Sequence, residues 1–254
     1  MDLKLKNELG SNYESSRQKA RVITEKWVLD NYKCPFCSGT LKPFSNNNKC
    51  SDFYCGKCNE SFELKSKKGR FSKRISGAEY KTTVEKVSSN ENPNWILLEH
   101  NGLFVTRLIL LPKQFVYAEM VIPREPLGEN ARRAGWQGCI LDLNKLPKFA
   151  QIEFIKNGSI IDQKIVNYRL KQAECFKKNN MKDKGWKLEV LACVDSLPGS
   201  IFSSSQMKQF FPLLKETHPN NNHIDKKVSQ ILQYLRDMNF IKFIDNNGLY
   251  MKLF

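Results

Sequence analysis

The sequence predicts a mixed α/β domain carrying a metal-stapled hairpin, followed by a small helical domain that ends in a β-hairpin. Three observations support this. Helical patterns at 12–31, 78–90 and 162–179 alternate with four or five strand-like runs, as in a mixed sheet flanked by helices. Four cysteines stand as Cys34-x2-Cys37-x17-Cys55-x2-Cys58, the spacing of a ribbon-type metal site. Near residue 180 the texture changes to three helices and an Asn-Asn-Gly turn, the order of a winged helix. The expected domains are therefore 1–180, with the metal site at 34–58, and a winged helix over 181–254.

Composition narrows what such a chain can do. A chain of 254 residues, 41% hydrophobic and 26% charged, is an ordinary globular protein with room for a sizeable core. No run approaches the roughly 18 apolar residues of a membrane span. The opening MDLKLKNELGSNYESS lacks the apolar stretch of a secretion signal, so a cytoplasmic location is expected. Lys and Arg number 41 against 26 Asp and Glu, a net charge of +15 that points to a polyanion. Nucleic acid is favoured over a membrane because no basic amphipathic anchor is visible. Residues 181–254 hold ten basic against seven acidic side chains, which leaves 31 against 19 for the first 180. Most of the attraction therefore lies in the first domain.

Residues 12–31 place Ala20, Val22, Ile23, Trp27 and Val28 near a helical period, so an amphipathic helix opens that domain. Glu14 and Glu25 on it are candidates to face a metal site, although a solvated helix face accounts for either. Residues 32–62 form the cysteine hairpin, with a polar, mobile loop expected at 38–50. Four thiolates make a closed tetrahedral zinc site, structural because no coordination position is left for substrate. Cys50, Cys139, Cys175 and Cys193 lack paired spacing and read as small buried hydrophobes.

The hairpin also carries a second chemistry. Asp52 stands near the start of its first strand and Glu63-Leu64-Lys65 lies in the second, the Asp…(Asp/Glu)-x-Lys pattern of metal-dependent nucleases. Two residues apart in a strand, Glu63 and Lys65 project from one face. Alternating charges are common on solvated strands, so the pattern gains its weight from the cysteines and the basic charge around it. The basic run Lys67, Lys68, Arg70, Lys73 and Arg74 follows directly, where a phosphate backbone would have to lie.

Trp95–Glu99 and Phe104–Leu111 read as buried strands joined at His100-Asn101-Gly102. Arg132, Arg133 and Trp136 combine phosphate contact with an aromatic able to stack on or wedge between bases, a reading balanced against a core tryptophan. The polar FKKNNMKDKG reads as a linker, and helices follow at 186–196, 203–217 and 223–239. The strands around Asn246-Asn247-Gly248 close the domain. Asn221, Asn222 and His223 stand at the start of its third helix, where base edges are read, with Lys226 and Lys227 placed for phosphates. The asparagines could equally cap that helix. With only three histidines, at 100, 218 and 223, a His-metal nuclease is not expected.

In order, the chain shows SSRQKAR, a C-x-x-C, DFYC-x2-C, ELKSKKG, LPKQFV, ARRAGW-x-GC and NNHI. Over essentially its whole length this resembles the DpnI-like family of methyl-directed (type IIM) restriction endonucleases. The resemblance implies a PD-(D/E)xK restriction-endonuclease-like domain with an inserted four-cysteine zinc site, plus a C-terminal winged helix. It implies cleavage of double-stranded DNA at GATC when the adenine is N-methylated, with both domains binding the methylated DNA. It makes Asp52, Glu63 and Lys65 catalytic and the four cysteines zinc ligands, and it raises Trp136 as a DNA-recognition residue. Ser51 stands where the motif's name has proline.

On this reading Mg²⁺ is held by Asp52, Glu63 and the Leu64 carbonyl, and Lys65 positions the attacking water. A monomer is expected. Two rivals stand beside it: a zinc-ribbon/winged-helix regulator that binds DNA without cutting it, and a repair or junction nuclease of the same fold.

Overall fold

The computed structural model describes residues 1–44, 51–89, 91–174, 176, 181–245 and 248–254. Its centre is β5 (Asn94–His100), every residue of which is buried. β3 (Ser61–Lys68) runs parallel to it, Glu63 opposite Trp95 and Lys65 opposite Leu97, while β6 (Val105–Leu111) pairs antiparallel on the other side. Strands β1 (Leu41–Pro43) and β2 (Phe53–Cys55) extend the sheet beyond β3, and β9 (Ile152–Lys156) and β10 (Ser159–Ile160) extend it beyond β6. The order β1-β2-β3-β5-β6-β9-β10 is a mixed sheet, as expected. Apolar runs on central strands are what burial on both faces selects.

Helix α1 (Ser16–Asn31) buries Thr24, Trp27 and Val28, and Thr24 Oγ1 meets Ser66 Oγ of β3 at 3.1 Å. Helix α2 (Tyr80–Val87) is shorter than the expected 78–90, and its first turn is capped by Glu79, whose carboxylate accepts the Thr82 N–H at 2.8 Å. Helix α3 spans Gln163–Glu174 within the expected 162–179, of which Cys175 and 177–179 lie outside the described residues, as does 180.

Besides β1, β9, β10 and a later strand over Ile201–Ser203, three further strands were not located in the sequence. β4 (Arg74–Glu79), β7 (Val121–Pro123) and β8 (Gly138–Asp142) form a second sheet in the order β4-β8-β7. Gly77 lets two of them approach closely, since a Cβ there would collide with Cys139 Sγ. The expected polar loop at 38–50 needs correction over its first part. Thr40 bridges Lys33 and β1 pairs with β2, with Leu41 buried, while 45–50, including Cys50, lie outside the described residues. Cys139 and Cys193 are buried, as expected.

The expected linker is also corrected in part, because α4 (Met181–Ser196) begins five residues earlier than read. Lys184 explains this: its ammonium is mostly buried and donates to the Lys113 and Val116 carbonyls at 3.1 and 3.0 Å. β11 (Ile201–Ser203) follows, and a capping box of Ser203 and Gln206 opens a 3₁₀ turn leading into α5 (Phe211–Thr217). Helix α6 (Ile224–Asp237) buries Val228, Ile231, Leu232 and Leu235 at helical spacing. β12 (Ile241–Phe243) and β13 (Leu249–Lys252) complete a three-stranded sheet in the order β11-β13-β12. Gly248 has φ +80°, and Asn246 and Asn247 lie outside the described residues.

This C-terminal unit shares a core with the sheet domain. Phe149 meets Phe240 and Phe254 with ring centroids 5.4 and 5.0 Å apart, and Phe176 meets Phe115 and Phe240 at 5.3 and 4.9 Å. The buried carboxylate of Glu189 on α4 joins the two units. It faces His218 Nε2 at 2.8 Å, accepts from Tyr117 Oη at 3.5 Å, and lies 4.0 Å from Lys145 Nζ.

Candidate active site and zinc site

β2 meets β3 only at Phe53–Phe62 and Tyr54–Ser61. Beyond Phe62, the β2-side edge of β3 has no strand partner among the described residues. Asp52 enters that gap, its N–H donating to the Phe62 carbonyl at 2.8 Å and its Oδ2 accepting the Leu64 N–H at 2.7 Å. The carboxylate thereby takes the place of a missing strand carbonyl and is fixed between Glu63 and Lys65. Lys65 Nζ donates to Glu63 Oε1 at 2.7 Å and lies 5.4 Å over the Trp95 ring. The structure brings Asp52, Glu63 and Lys65 together on this edge, as the motif requires.

Two acids so placed repel. Burial pushes the Glu63 carboxyl above its ordinary range, Lys65 pulls it down, Asp52 pushes it up and Arg21 pulls it down. A pair of hard oxygen donors, one of them disfavoured as a carboxylate, fits a divalent cation such as Mg²⁺. Glu25 does not join them: its Oε1 accepts from Arg21 Nε at 2.6 Å, and Glu14 is exposed.

The four sulfurs of Cys34, Cys37, Cys55 and Cys58 lie within 4.8 Å of one another, and Cys34–Cys58 and Cys37–Cys55 approach to 3.6 and 3.4 Å. Four sulfurs at about 2.3 Å from one zinc ion would be about 3.8 Å apart, so the set fits zinc. Burial pushes the Cys34 thiol up, and it also opposes ionisation of Cys55. At Cys55 the Cys58 and Lys57 N–H groups outweigh burial and hold the thiol down at about 7, as a thiolate ligand requires. Gly39 is needed here, because a Cβ would stand 2.8 Å from Cys55 Sγ.

The proposed contact residues lie on three surfaces. Lys67, Lys68 and Arg70 stand at and just beyond the end of β3, all three exposed, and Lys73 and Arg74 follow them. Arg132 and Arg133 are exposed in the loop between β7 and β8. Trp136 is half-buried there, with Arg133 Cζ 4.8 Å over its ring and the ring itself lying on Gly138, where a Cβ would meet it at 2.9 Å. At α6, His223 and Lys226 are exposed, Lys227 half-buried. The capping alternative for the asparagines is corrected: the helix start has no side-chain cap. Asn221 Oδ1 accepts the His223 N–H at 2.8 Å, and Asn222 Oδ1 accepts from Lys215 Nζ at 3.0 Å. Lys215 also donates to the Pro219 and Asn221 carbonyls, so one ammonium organises the loop before α6. No helix among the described residues is long and apolar enough to cross a membrane.

Comparison with protein families bears on both units. The model described as DpnI, the Dam-replacing family, matches residues 1–179. The model described as the Dam-replacing HTH domain matches residues 182–252. Both agree with the resemblance read from ELKSKKG, ARRAGW and the C-terminal helices.

Proposed function

The chain belongs to the Dam-replacing family, whose membership implies methyl-directed DNA cleavage and a DNA-binding helix-turn-helix domain, and from that premise we propose a specific enzyme. It is a Mg²⁺-dependent type II endonuclease that cuts double-stranded DNA at GATC sites with N-methylated adenine. Asp52, Glu63 and Lys65 carry the reaction in a domain over 1–180, and the winged helix over 181–254 binds the same methylated DNA. The protein acts as a cytoplasmic monomer.

One observation supports this most: three groups of the nuclease motif converge on a strand edge that has no strand partner among the described residues, Asp52 locked to the Leu64 N–H and Lys65 to Glu63. A pure DNA-binding regulator would have no use for that arrangement. Asp52, Glu63 and the Leu64 carbonyl would hold Mg²⁺, which supplies Lewis acidity and a lowered water pKa. Lys65 orients the attacking water and stabilises charge growing on the phosphate oxygens, from an ammonium held in place before substrate arrives. Water adds its oxygen to phosphorus, and the bond to the leaving sugar oxygen breaks. Lys67, Lys68 and Arg70 continue from the same strand toward the flanking phosphates.

Burying one methyl group is worth only on the order of 1 kcal/mol. Two domains that each read the mark multiply such modest preferences, which gives a reason for the architecture. Incubation with methylated and unmethylated plasmid, with and without Mg²⁺, tests the proposal. Only methylated plasmid with Mg²⁺ should be cut, and Asp52→Ala or Glu63→Ala should abolish cutting while binding is kept. Cutting of both plasmids would point to a repair or junction nuclease. Binding without any cutting would point to the regulator.

A further inference from the structure

Resting on the reading of the β3 edge as catalytic, the strand beside Lys65 carries one more residue with a task. Trp95 enters the sequence reading only as the first residue of a buried strand. Across the parallel pair β3–β5, Glu63 stands opposite Trp95 and Lys65 opposite Leu97, so all four side chains share one face of the sheet. The Lys65 side chain leans back toward the preceding pair. Its ammonium donates to Glu63 Oε1 at 2.7 Å and lies over the Trp95 ring, 5.4 Å from the centroid. Trp95 is 2% exposed and the Lys65 side chain 19%. Water competes weakly for an ammonium in that setting, and a cation–π contact within about 6 Å is then at its stronger end.

Trp95 is a costly residue if it only fills space. Its indole N–H is buried and meets no acceptor among the described residues, a desolvation penalty that phenylalanine would avoid. What the indole adds is the ring face that attracts a cation best. The proposed chemistry gives that face a use. Glu63 is both the carboxylate that anchors Lys65 and, on the proposed reading, a ligand of the divalent ion. A carboxylate drawn to the ion anchors the ammonium less firmly, and a second cation repels it. A lysine stem is flexible and does not stay in place by itself. The ring carries no net charge and is no metal ligand, so its hold on Lys65 outlasts the change at Glu63.

We propose that Trp95 is a positioning residue, its ring face keeping the Lys65 ammonium at the catalytic edge when Glu63 turns to the metal ion. It acts through Lys65 and moves no proton.

The test uses the full chain with tryptophans carrying one, two or three ring fluorines placed at position 95. Fluorine weakens the pull of the ring face on a cation and leaves the shape of the ring nearly unchanged. Single-turnover cleavage of a methylated GATC duplex with Mg²⁺, at saturating enzyme, should slow with each fluorine, by about tenfold over the series. Melting temperature and DNA affinity should stay at the parent values. A second readout needs neither metal nor DNA. In protein labelled with ¹³C at lysine Cε, the Lys65 signal, assigned by its loss in Lys65→Arg, should be shifted upfield by the ring current. It should keep that shift in Glu63→Ala, where the carboxylate is gone. A Lys65 signal at the free-lysine position in Glu63→Ala would overturn the inference. An unchanged rate along the fluorine series, with Glu63→Ala inactive, would do the same and leave the catalytic edge standing. Rates that fall only in step with melting temperature would return Trp95 to packing. Normal cutting by Glu63→Ala would overturn the edge itself, and the role of Trp95 with it.

Discussion

Removing zinc should disable cleavage while leaving the rest of the molecule folded. The reason lies in how little else holds β2. Its link to β3 consists of two register pairs, flanked by the bonds Asp52 N–H to Phe62 and Cys55 N–H to Glu60 at 2.8 and 2.9 Å. Two such bonds contribute about 1–3 kcal/mol net. Burial of Leu41 and Phe53 adds about 3–6 kcal/mol. Against this, ordering roughly ten residues of hairpin costs on the order of 10–20 kcal/mol. The hairpin alone falls short by several kcal/mol, a gap within the roughly 10–16 kcal/mol of structural zinc binding. Asp52 stands three residues before Cys55, immediately ahead of this strand, so loss of the metal frees the carboxylate from Leu64. The assay pairs zinc content by atomic spectroscopy with cleavage of methylated plasmid and a thermal melt. Cys55→Ser should lose zinc and nearly all cutting, and the main melting transition, carried by β5, β6 and the helices, should persist. Chelated wild-type protein should regain activity on zinc addition. A zinc-free Cys55→Ser protein that cuts at the parent rate would refute the coupling of the two sites.

Two further outcomes follow from the burial of single groups. Burial lowers the Lys184 ammonium to about 8 from its ordinary 10.5, so between those pH values the unfolded chain binds a proton that the folded chain has lost. Stability attributable to Lys184 therefore rises with pH across that window, and below it the full cost of burying the charge, at most about 3 kcal/mol, is present. Lys184→Met should flatten this rise in a series of melts and raise stability at pH 7, because Asn92 still donates to both carbonyls at 2.9 and 3.1 Å; an unchanged difference between the two proteins from pH 7 to 10.5 would refute it. Trp136→Ala should abolish methyl-dependent cutting and shift the melting temperature little, since a half-buried loop ring is worth less than the roughly 3–5 kcal/mol of a core tryptophan. A large drop in melting temperature, with cutting restored on cooling, would return Trp136 to a packing role.

What the sequence determined by itself is the local part of this protein. Cys34 to Lys65 spans about thirty residues, and in that span cysteine spacing and strand alternation name both the staple and the edge it supports. The α6 stripe of Val228, Ile231, Leu232 and Leu235 is likewise a period of one element. The second sheet was hidden because β4 buries only Ile75 fully, leaving no alternation to read, and its fit depends on Gly77 meeting Cys139 from a distant strand. Asn221 and Asn222 looked like caps, but their oxygens were taken by the His223 N–H and by Lys215 from another helix. Glu189 gave no hint of joining Tyr117, 72 residues away, to His218, 29 residues away. Periodicity and spacing record what a residue needs from its own element, whereas a partner across the fold is chosen by shape and charge that exist only once the elements have packed.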